Sequence, residues 1–257
     1  MSAWLHGKRI LITREKKQAK LFSNKVLEIG GIPVEVPLLK ITCKAGQDEI
    51  RTLQGNEHFS WLFFTSVNGV HCFFQLLDYY GIDKKVLVRS KFAAVGHKTA
   101  GALEKYGFQT DFIPSVYSAE TMTNEFSLSN VYTDGPILLI RGNRSRNVLP
   151  DWFREKGIQF TQLEVYETGR NVSVKDELNH QLQQNNLDII TFTSPSSVEA
   201  FMDMKETNIT ADVLIACIGT TTGERAQDFG LRNLLIPDEF TIDGMLEKIG
   251  SYIEQKG

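Results

Sequence analysis

Trp61-Leu62-Phe63-Phe64-Thr65-Ser66 is a run of four apolar residues ending in two hydroxyls, and Ile189-Ile190-Thr191-Phe192-Thr193-Ser194 repeats that shape 128 residues later. A short run apolar on both faces reads as a central strand of a parallel sheet. The Thr-Ser that follows each run is suited to opening a helix. Working outward, further apolar runs occur at Ile10-Leu11-Ile12, Val34-Glu35-Val36, Phe92-Ala93-Ala94-Val95, Ile137-Leu138-Leu139-Ile140 and Val213 to Ile218. Helical spacing fills the intervals, as in Ala100, Leu103 and Tyr106, or Leu178 and Leu182. Strand and helix alternate, which makes the class α/β with parallel sheets.

The self-similarity extends along the chain. Ile10-Leu11-Ile12-Thr13-Arg14 matches Leu138-Leu139-Ile140-Arg141, and Gly31-Ile32 matches Gly157-Ile158. At a constant spacing of 123 residues, Ala94-Val95-Gly96 with Thr99 matches Cys217-Ile218-Gly219 with Thr222, Gly107 matches Gly230, and Ile113-Pro114 matches Ile236-Pro237. Landmarks in one order at nearly constant spacing define a duplicated five-strand βα unit of flavodoxin-like type. Two topologies satisfy it. The halves are tandem domains split near residue 130, or each domain takes its first βαβ piece from one half and its last three βα units from the other. Periodicity is indifferent between them. In the second, the extended segments Pro33 to Ile41 and Phe160 to Thr168, with Pro37 and Tyr166 just past the second strand of each half, cross between domains.

Composition agrees with two globular domains: 257 residues, 42% hydrophobic and 23% charged, exclude a disordered or low-complexity chain. A formal net charge of −3 excludes a globally basic nucleic-acid binder while allowing a local basic patch. Cys43, Cys72 and Cys217 have no metal-ligand spacing and cannot all pair, so each is expected to be a small buried hydrophobe in a reducing compartment. The first residues lack a signal-like apolar stretch, and no apolar run approaches the ~18 residues of a membrane span. A soluble cytoplasmic monomer without nucleic-acid or membrane partners is the expectation.

Ligands of open parallel sheets bind beyond the carboxyl ends of the strands. The residues expected there are Arg14, Thr65, Ser66, Asn68, Gly96, His97, Thr99 and Ser118 from the first half. From the second come Arg141, Gly142, Arg144, Arg146, Ser194, Ser196, Gly219, Thr221, Thr222 and Thr241. Hydroxyls, glycines and arginines at helix N-termini suit an anion, since free N–H groups and the positive dipole end converge there. Several also have a purely structural use. Ser196 with Glu199, and Thr221 with Glu224, have capping-box spacing, and Pro195 suits a first helical turn. Arg141, Arg144 and Arg146 offer forked donors for carboxylate or phosphate. A dinucleotide glycine fingerprint, a Walker loop, a nucleophile elbow and a paired-histidine metal motif are all missing, so neither metal nor cofactor is expected. The candidate for proton chemistry is Tyr166: a tyrosine, ordinarily ionising near pH ~10, carries a proton it can donate to a leaving hydroxyl. Its structural alternative is a half-buried interdomain ring.

Over nearly its whole length the sequence resembles the uroporphyrinogen-III synthase family. The matching stretches are Leu11-Ile12-Thr13-Arg14, Phe64-Thr65-Ser66-Val67-Asn68-Gly69-Val70, Val95-Gly96 with Thr99-Ala100, Pro114 with Ser118-Ala119-Glu120, Leu139-Ile140-Arg141-Gly142, Val165-Tyr166 with Thr168, Phe192-Thr193-Ser194-Pro195-Ser196, and Ile218-Gly219 with Thr221-Thr222. Some members carry arginine in the turn where this chain has Asn68. The resemblance implies two flavodoxin-like domains, 1–36 with 169–257 and 42–164, joined by a two-stranded ladder of 37–41 and 165–168, with substrate in the cleft between them. The implied substrate is hydroxymethylbilane, a linear polycarboxylate tetrapyrrole, cyclised without a cofactor to uroporphyrinogen III through a spirocyclic intermediate that inverts ring D. Tyr166 is the implied proton donor, and Arg14, Thr65, Ser66, Asn68, Gly96, Thr99, Ser118, Arg141, Gly142, Ser194, Ser196, Gly219, Thr221 and Thr222 are the implied substrate contacts. The competing expectation is a non-catalytic two-lobed anion-binding module; a nucleotide-dependent enzyme is disfavoured by the missing phosphate loops.

Overall fold

The computed structural model describes residues 4–54, 58–128 and 135–256. In chain order the elements are β1 (Arg9–Ile12), α1 (Lys16–Glu28), β2 (Ile32–Glu35), β3 (Leu39–Cys43), α2 (Gln47–Gln54), β4 (Trp61–Phe64), α3 (Val67–Tyr79), β5 (Lys91–Ala94), α4 (His97–Glu104) and α5 (Ala119–Leu128). They continue with β6 (Ile137–Gly142), α6 (Val148–Glu155), β7 (Phe160–Arg170), α7 (Lys175–Gln183), β8 (Ile189–Phe192), α8 (Pro195–Met204), β9 (Leu214–Cys217), α9 (Thr220–Asp228), β10 (Leu234–Leu235) and α10 (Ile242–Lys256). The chain divides into two compact units, Met1–Lys40 with Gly169–Gly257, and Ile41–Thr168.

The first unit carries the sheet β10-β9-β8-β1-β2, parallel throughout. Numbered by order of appearance within the unit, that is 2-1-3-4-5 from the β2 edge, the flavodoxin-like arrangement. Side chains alternate across the sheet as a strand requires. Leu11, Ile190, Phe192 and Ile215 pack with Val198 and Phe201 on one face. Ile10, Ile12, Ile189, Leu214 and Ala216 pack with Phe22, Met245 and Ile249 on the other. The hydroxyls of Thr191 in β8 and of Thr13 just past β1 are satisfied locally: Thr13 Oγ1 donates to the Thr191 carbonyl at 2.7 Å, and Thr191 Oγ1 to that of Leu11 at 2.8 Å.

The second unit carries β3-β7-β6-β4-β5. Here β6 takes the place of the first strand, β7 the second, β4 the third and β5 the fourth. Phe112, bridged in parallel to Ala93, marks the fifth. The order is again 2-1-3-4-5, with β3 added outside β7. Each sheet therefore hydrogen-bonds strands from both halves of the chain: β1 to β8 in one, β6 to β4 in the other. Trp61, Phe63, Phe126 and Phe153 fill one face with edge-on aromatic contacts about 5 Å apart. Leu62, Phe64, Phe73 and Phe92 fill the other.

Two local expectations are corrected. Helix α4 ends at Glu104, so Tyr106 lies beyond it, stacked on Phe74 at 4.2 Å. Cys43 and Cys72 are not separate thiols but a disulfide, with Cα atoms 5.1 Å apart. They stand 29 residues apart in no framework pattern, and only the folding of β3 beside α3 brings them together. Cysteine usage therefore no longer argues for a reducing compartment. Cys217 is free and buried, and desolvation pushes its thiol up to about 12, which keeps it unreactive. No helix among the described residues is long and apolar enough to cross a membrane.

Candidate functional site

In the second unit, β4 ends at Phe64 and the chain turns through Thr65 and Ser66 into α3. Ser66 is extended (φ −160°, ψ 156°) and caps the helix, its Oγ accepting the Gly69 N–H at 3.0 Å. The same Oγ lies 3.0 Å from the Tyr166 hydroxyl. Tyr166 reaches it because the pairing of β6 with β7 slips by one residue: Arg141 faces Glu164, whereas Gly142 faces Tyr166. The extra residue, Val165, makes a bulge that re-aims the next side chain. The ring then lies flat on Gly142, where an added Cβ would sit 2.3–2.8 Å from three ring carbons. Asn143 N–H donates to the Tyr166 carbonyl at 3.2 Å, and the Thr168 N–H donates to Asn143 Oδ1 at 3.0 Å, tying the strand end to the β6–α6 turn. Ser66, Gly142 and Tyr166, drawn from three distant segments, form one cluster.

Either hydroxyl of the Ser66–Tyr166 pair can donate. With Ser66 donating, the phenol proton is free to go to a leaving oxygen while the serine still accepts from Gly69. Nearby, Glu167 is held below the usual carboxylate range by its ion pair with Lys44 and, further off, by Arg144.

The arginine triad separates. Arg141 is 5% exposed, and its guanidinium donates to Gln162 Oε1 at 2.6 Å, to Asn147 Oδ1 at 3.1 Å and to the Ser145 carbonyl. Strand β6 runs through Gly142, so Arg141 is a strand residue turned inward, bracing the turn rather than offering a fork to a ligand. Arg146 is paired through both guanidinium nitrogens with Glu120. Arg144 is exposed and, among the described residues, makes no ion pair. Arg14, in the first unit, is half-buried and donates to Gln18; burial lowers its ordinarily very high pKa.

The remaining candidates sit at the carboxyl ends of their strands in different roles. Thr65 Oγ1 is a long 3.5 Å from the Ile140 carbonyl, and Asn68 is half-buried in the first turn of α3. Ser118 Oγ accepts the Thr121 N–H at 3.1 Å and caps α5. Gly96 and Gly219 are the N-caps of α4 and α9, without side-chain capping bonds. Thr99 and Thr222, one turn on, are buried at 6% and 2% exposure, which withholds their side chains from a ligand. Thr221 is exposed, and Thr241 caps α10 by accepting the Gly244 N–H at 2.9 Å.

The capping boxes expected at Ser196–Glu199 and Thr221–Glu224 are not formed. The helix of the first starts two residues earlier: Ser194 caps α8, exchanging bonds of 3.2 and 3.3 Å with Ser197, and Pro195 opens the first turn. Ser196 Oγ instead lies 3.0 Å from Ser194 Oγ, and Glu199 pairs with Arg225. Ser194→Ala is expected to lower unfolding free energy by about 1 kcal/mol, read from a urea midpoint. The sequence places Asn143, Ser145 and Tyr117 in strand-end stretches without assigning them a role; in the structure Asn143 and Ser145 fasten the turn, and Phe240 is the residue that sequence reasoning missed. The available signal for it was its place three residues after Pro237, matching that of Tyr117 after Pro114. Among the described residues, no group of three His, Cys, Asp or Glu side chains is placed to hold a metal.

Two flavodoxin-like units, with helix N-termini and hydroxyls at their strand ends and a phenol beside a capping serine, define a class: a two-unit α/β protein with parallel sheets and polar strand ends. The family model described as uroporphyrinogen-III synthase HemD matches residues 20–247, and the chain belongs to the uroporphyrinogen-III synthase family. Members of this family are lyases that cyclise hydroxymethylbilane in tetrapyrrole biosynthesis. The chain is 27% identical over 246 residues to the porphyrin biosynthesis protein HemD of Ruminiclostridium josui, covering 95% of this chain but 48% of that longer one. It is 29% identical over 236 residues to the uroporphyrinogen-III synthase of Chlorobaculum parvum, covering 91% of this chain and 94% of the relative. Its fold is similar to that of the uroporphyrinogen-III synthetase of Helicobacter pylori, with a TM-score of 0.64 over 96% of this chain and 99% of that one at 20% identity. A non-catalytic anion-binding module is not favoured.

Proposed function

We propose that this chain converts hydroxymethylbilane to uroporphyrinogen III with loss of water and inversion of ring D, and that Tyr166 is its general acid. The observation that carries the reading is the Tyr166 hydroxyl held 3.0 Å from Ser66 Oγ over Gly142. Tyr166 protonates the departing hydroxymethyl oxygen, which leaves as water, and the ring A pyrrole becomes an azafulvene cation. The substituted carbon of ring D attacks it; the spiro intermediate fragments and recloses with ring D turned over, and the proton lost at reclosure restores the phenol. An azafulvene left to itself closes to the type I isomer, so much of the catalysis is conformational restraint of a flexible chain. Arg14 and Arg144, Ser66, Ser118, Ser194 and Ser196, Thr65, Thr221 and Asn68, and the backbone at Gly96 and Gly219, are the proposed contacts for its carboxylates. Arg141, Gly142, Thr99 and Thr222 support them from beneath.

The same reading takes the protein as a monomer working without cofactor, nucleic acid or membrane. Support comes from the net charge of −3 and from large exposed apolar residues scattered along the chain. A cytoplasmic location belongs to it too. The test is incubation with fresh hydroxymethylbilane followed by oxidation and isomer analysis. Type III product is expected; type I alone would refute the assignment.

A further inference from the structure

Most large aromatic rings among the described residues lie in the cores; outside them, besides Tyr79 and Tyr80 at the end of α3, Tyr117 and Phe240 are 58% and 57% exposed. Each of the latter two lies on a glycine. A Cβ added to Gly96 would stand 3.1 Å from Tyr117 Cγ, and one added to Gly219 would stand 3.2 Å from Phe240 Cγ. The glycines are extended, with φ of −167° and −168°, a conformation open to any residue. The backbone does not ask for glycine at either place; the ring does. At the neighbouring strand-to-helix turns of the same sheets, Ser66 and Ser194 occupy the equivalent position and cap their helices. At Gly96 and Gly219 that side-chain cap is forgone and an aromatic face is held against bare backbone instead.

The backbone that carries each ring is also anchored, and the His97 ring meets that of Tyr117 edge-on at 5.2 Å. Tyr117 and Phe240 immediately precede Ser118 and Thr241, the residues that cap α5 and α10. The arrangement occurs once in each unit, 123 residues apart. Around it the sequence has diverged, with Ser115-Val116 in one copy and Asp238-Glu239 in the other, while an aromatic ring stays and its hydroxyl does not. What the two copies share is a rigid, half-exposed apolar face at the carboxyl end of a parallel sheet. It suits an occupant with a flat unsaturated ring, and a pyrrole is such a ring.

We propose that Tyr117 and Phe240 are substrate-binding residues, each packing its ring against a pyrrole of the linear tetrapyrrole; the proposal rests on the function given above. Steady-state kinetics with hydroxymethylbilane, and binding of uroporphyrin III followed by its fluorescence, test it on Tyr117→Ala, Phe240→Ala and Tyr117→Phe. Each alanine variant is expected to raise KM and weaken uroporphyrin binding about tenfold, with kcat within about threefold and an unchanged melting midpoint. Tyr117→Phe, which keeps the ring, is expected to match the parent. Parent-like KM and binding in both alanine variants overturn the proposal while leaving the synthase assignment standing. Losses that follow a lowered melting midpoint overturn it in favour of a structural role. A parent protein that binds uroporphyrin but makes no type III product overturns the synthase assignment, and weaker binding by the alanine variants then still supports the ring contacts. A parent that does neither overturns both.

Discussion

Tyr166→Phe is expected to lower kcat by about 10²–10⁴-fold with little change in KM or melting midpoint, the range associated with losing a positioned general acid. The substitution is unusually clean. The phenylalanine ring keeps its seat on Gly142, and the bonds that position residue 166 are made by its backbone, the carbonyl accepting from Asn143. Ser66 Oγ keeps its bond from Gly69, so the capping function survives and only the hydroxyl pair is lost. A rate loss without a stability loss therefore reports on proton donation. Single-turnover assays of water loss, with the product isomer determined, make the measurement. A variant that turns over at the parent rate would remove Tyr166 from the chemistry and leave Ser66 or a bound water as donor.

The fold class was legible because central parallel strands are apolar on both faces and leave unmistakable runs; each run named from the sequence coincides with a strand to within two residues. What distinguishes the two topologies is hydrogen bonding, β1 to β8 and β6 to β4, to which hydrophobic periodicity is blind. The candidate site was legible residue by residue but not as an assembly. Ser66 and Gly142 stand out at strand ends, and Tyr166 lies within the long strand β7. Their meeting depends on the one-residue bulge at Val165, and no local pattern announces a bulge in a parallel pair. Arg141 was misjudged for a related reason, since whether a terminal strand residue faces solvent or core is decided by where the strand stops. The capping boxes failed because S-x-x-E spacing overlaps other registers, and the true register is set by the buried strand that precedes it. Comparison of the two units adds something neither gives alone. Counting from Ile12 opposite Glu35 and Ile140 opposite Leu163, the place of Tyr166 falls in the first unit at Pro37 or Leu38, which have no hydroxyl. Features shared by both units can be inherited architecture, whereas Tyr166 and its glycine are where the copies differ.

That difference makes Gly142 the second position of large expected effect. Its backbone is not in the left-handed region, so alanine is acceptable to the chain itself. Its methyl group is not acceptable to Tyr166, because it would occupy space 2.3–2.8 Å from the ring carbons. Overpacking of this kind ordinarily costs about 1–3 kcal/mol of stability, and relief requires the ring to lift or swing away from Ser66. A shift near 1 Å in a proton donor can cost on the order of 10²-fold in rate, so Gly142→Ala is expected to lower kcat by about that factor. The decisive comparison is with the double variant. If the methyl acts by displacing the phenol, then adding Gly142→Ala to Tyr166→Phe should slow turnover by less than about threefold, because the hydroxyl it would misplace is already gone. If the two losses multiply, the methyl is distorting the β6–α6 turn that Arg141 and Asn143 brace, and Gly142 serves the turn rather than the ring. A urea midpoint for each single variant separates the stability cost from the kinetic one, since Gly142→Ala should lose both and Tyr166→Phe only the second.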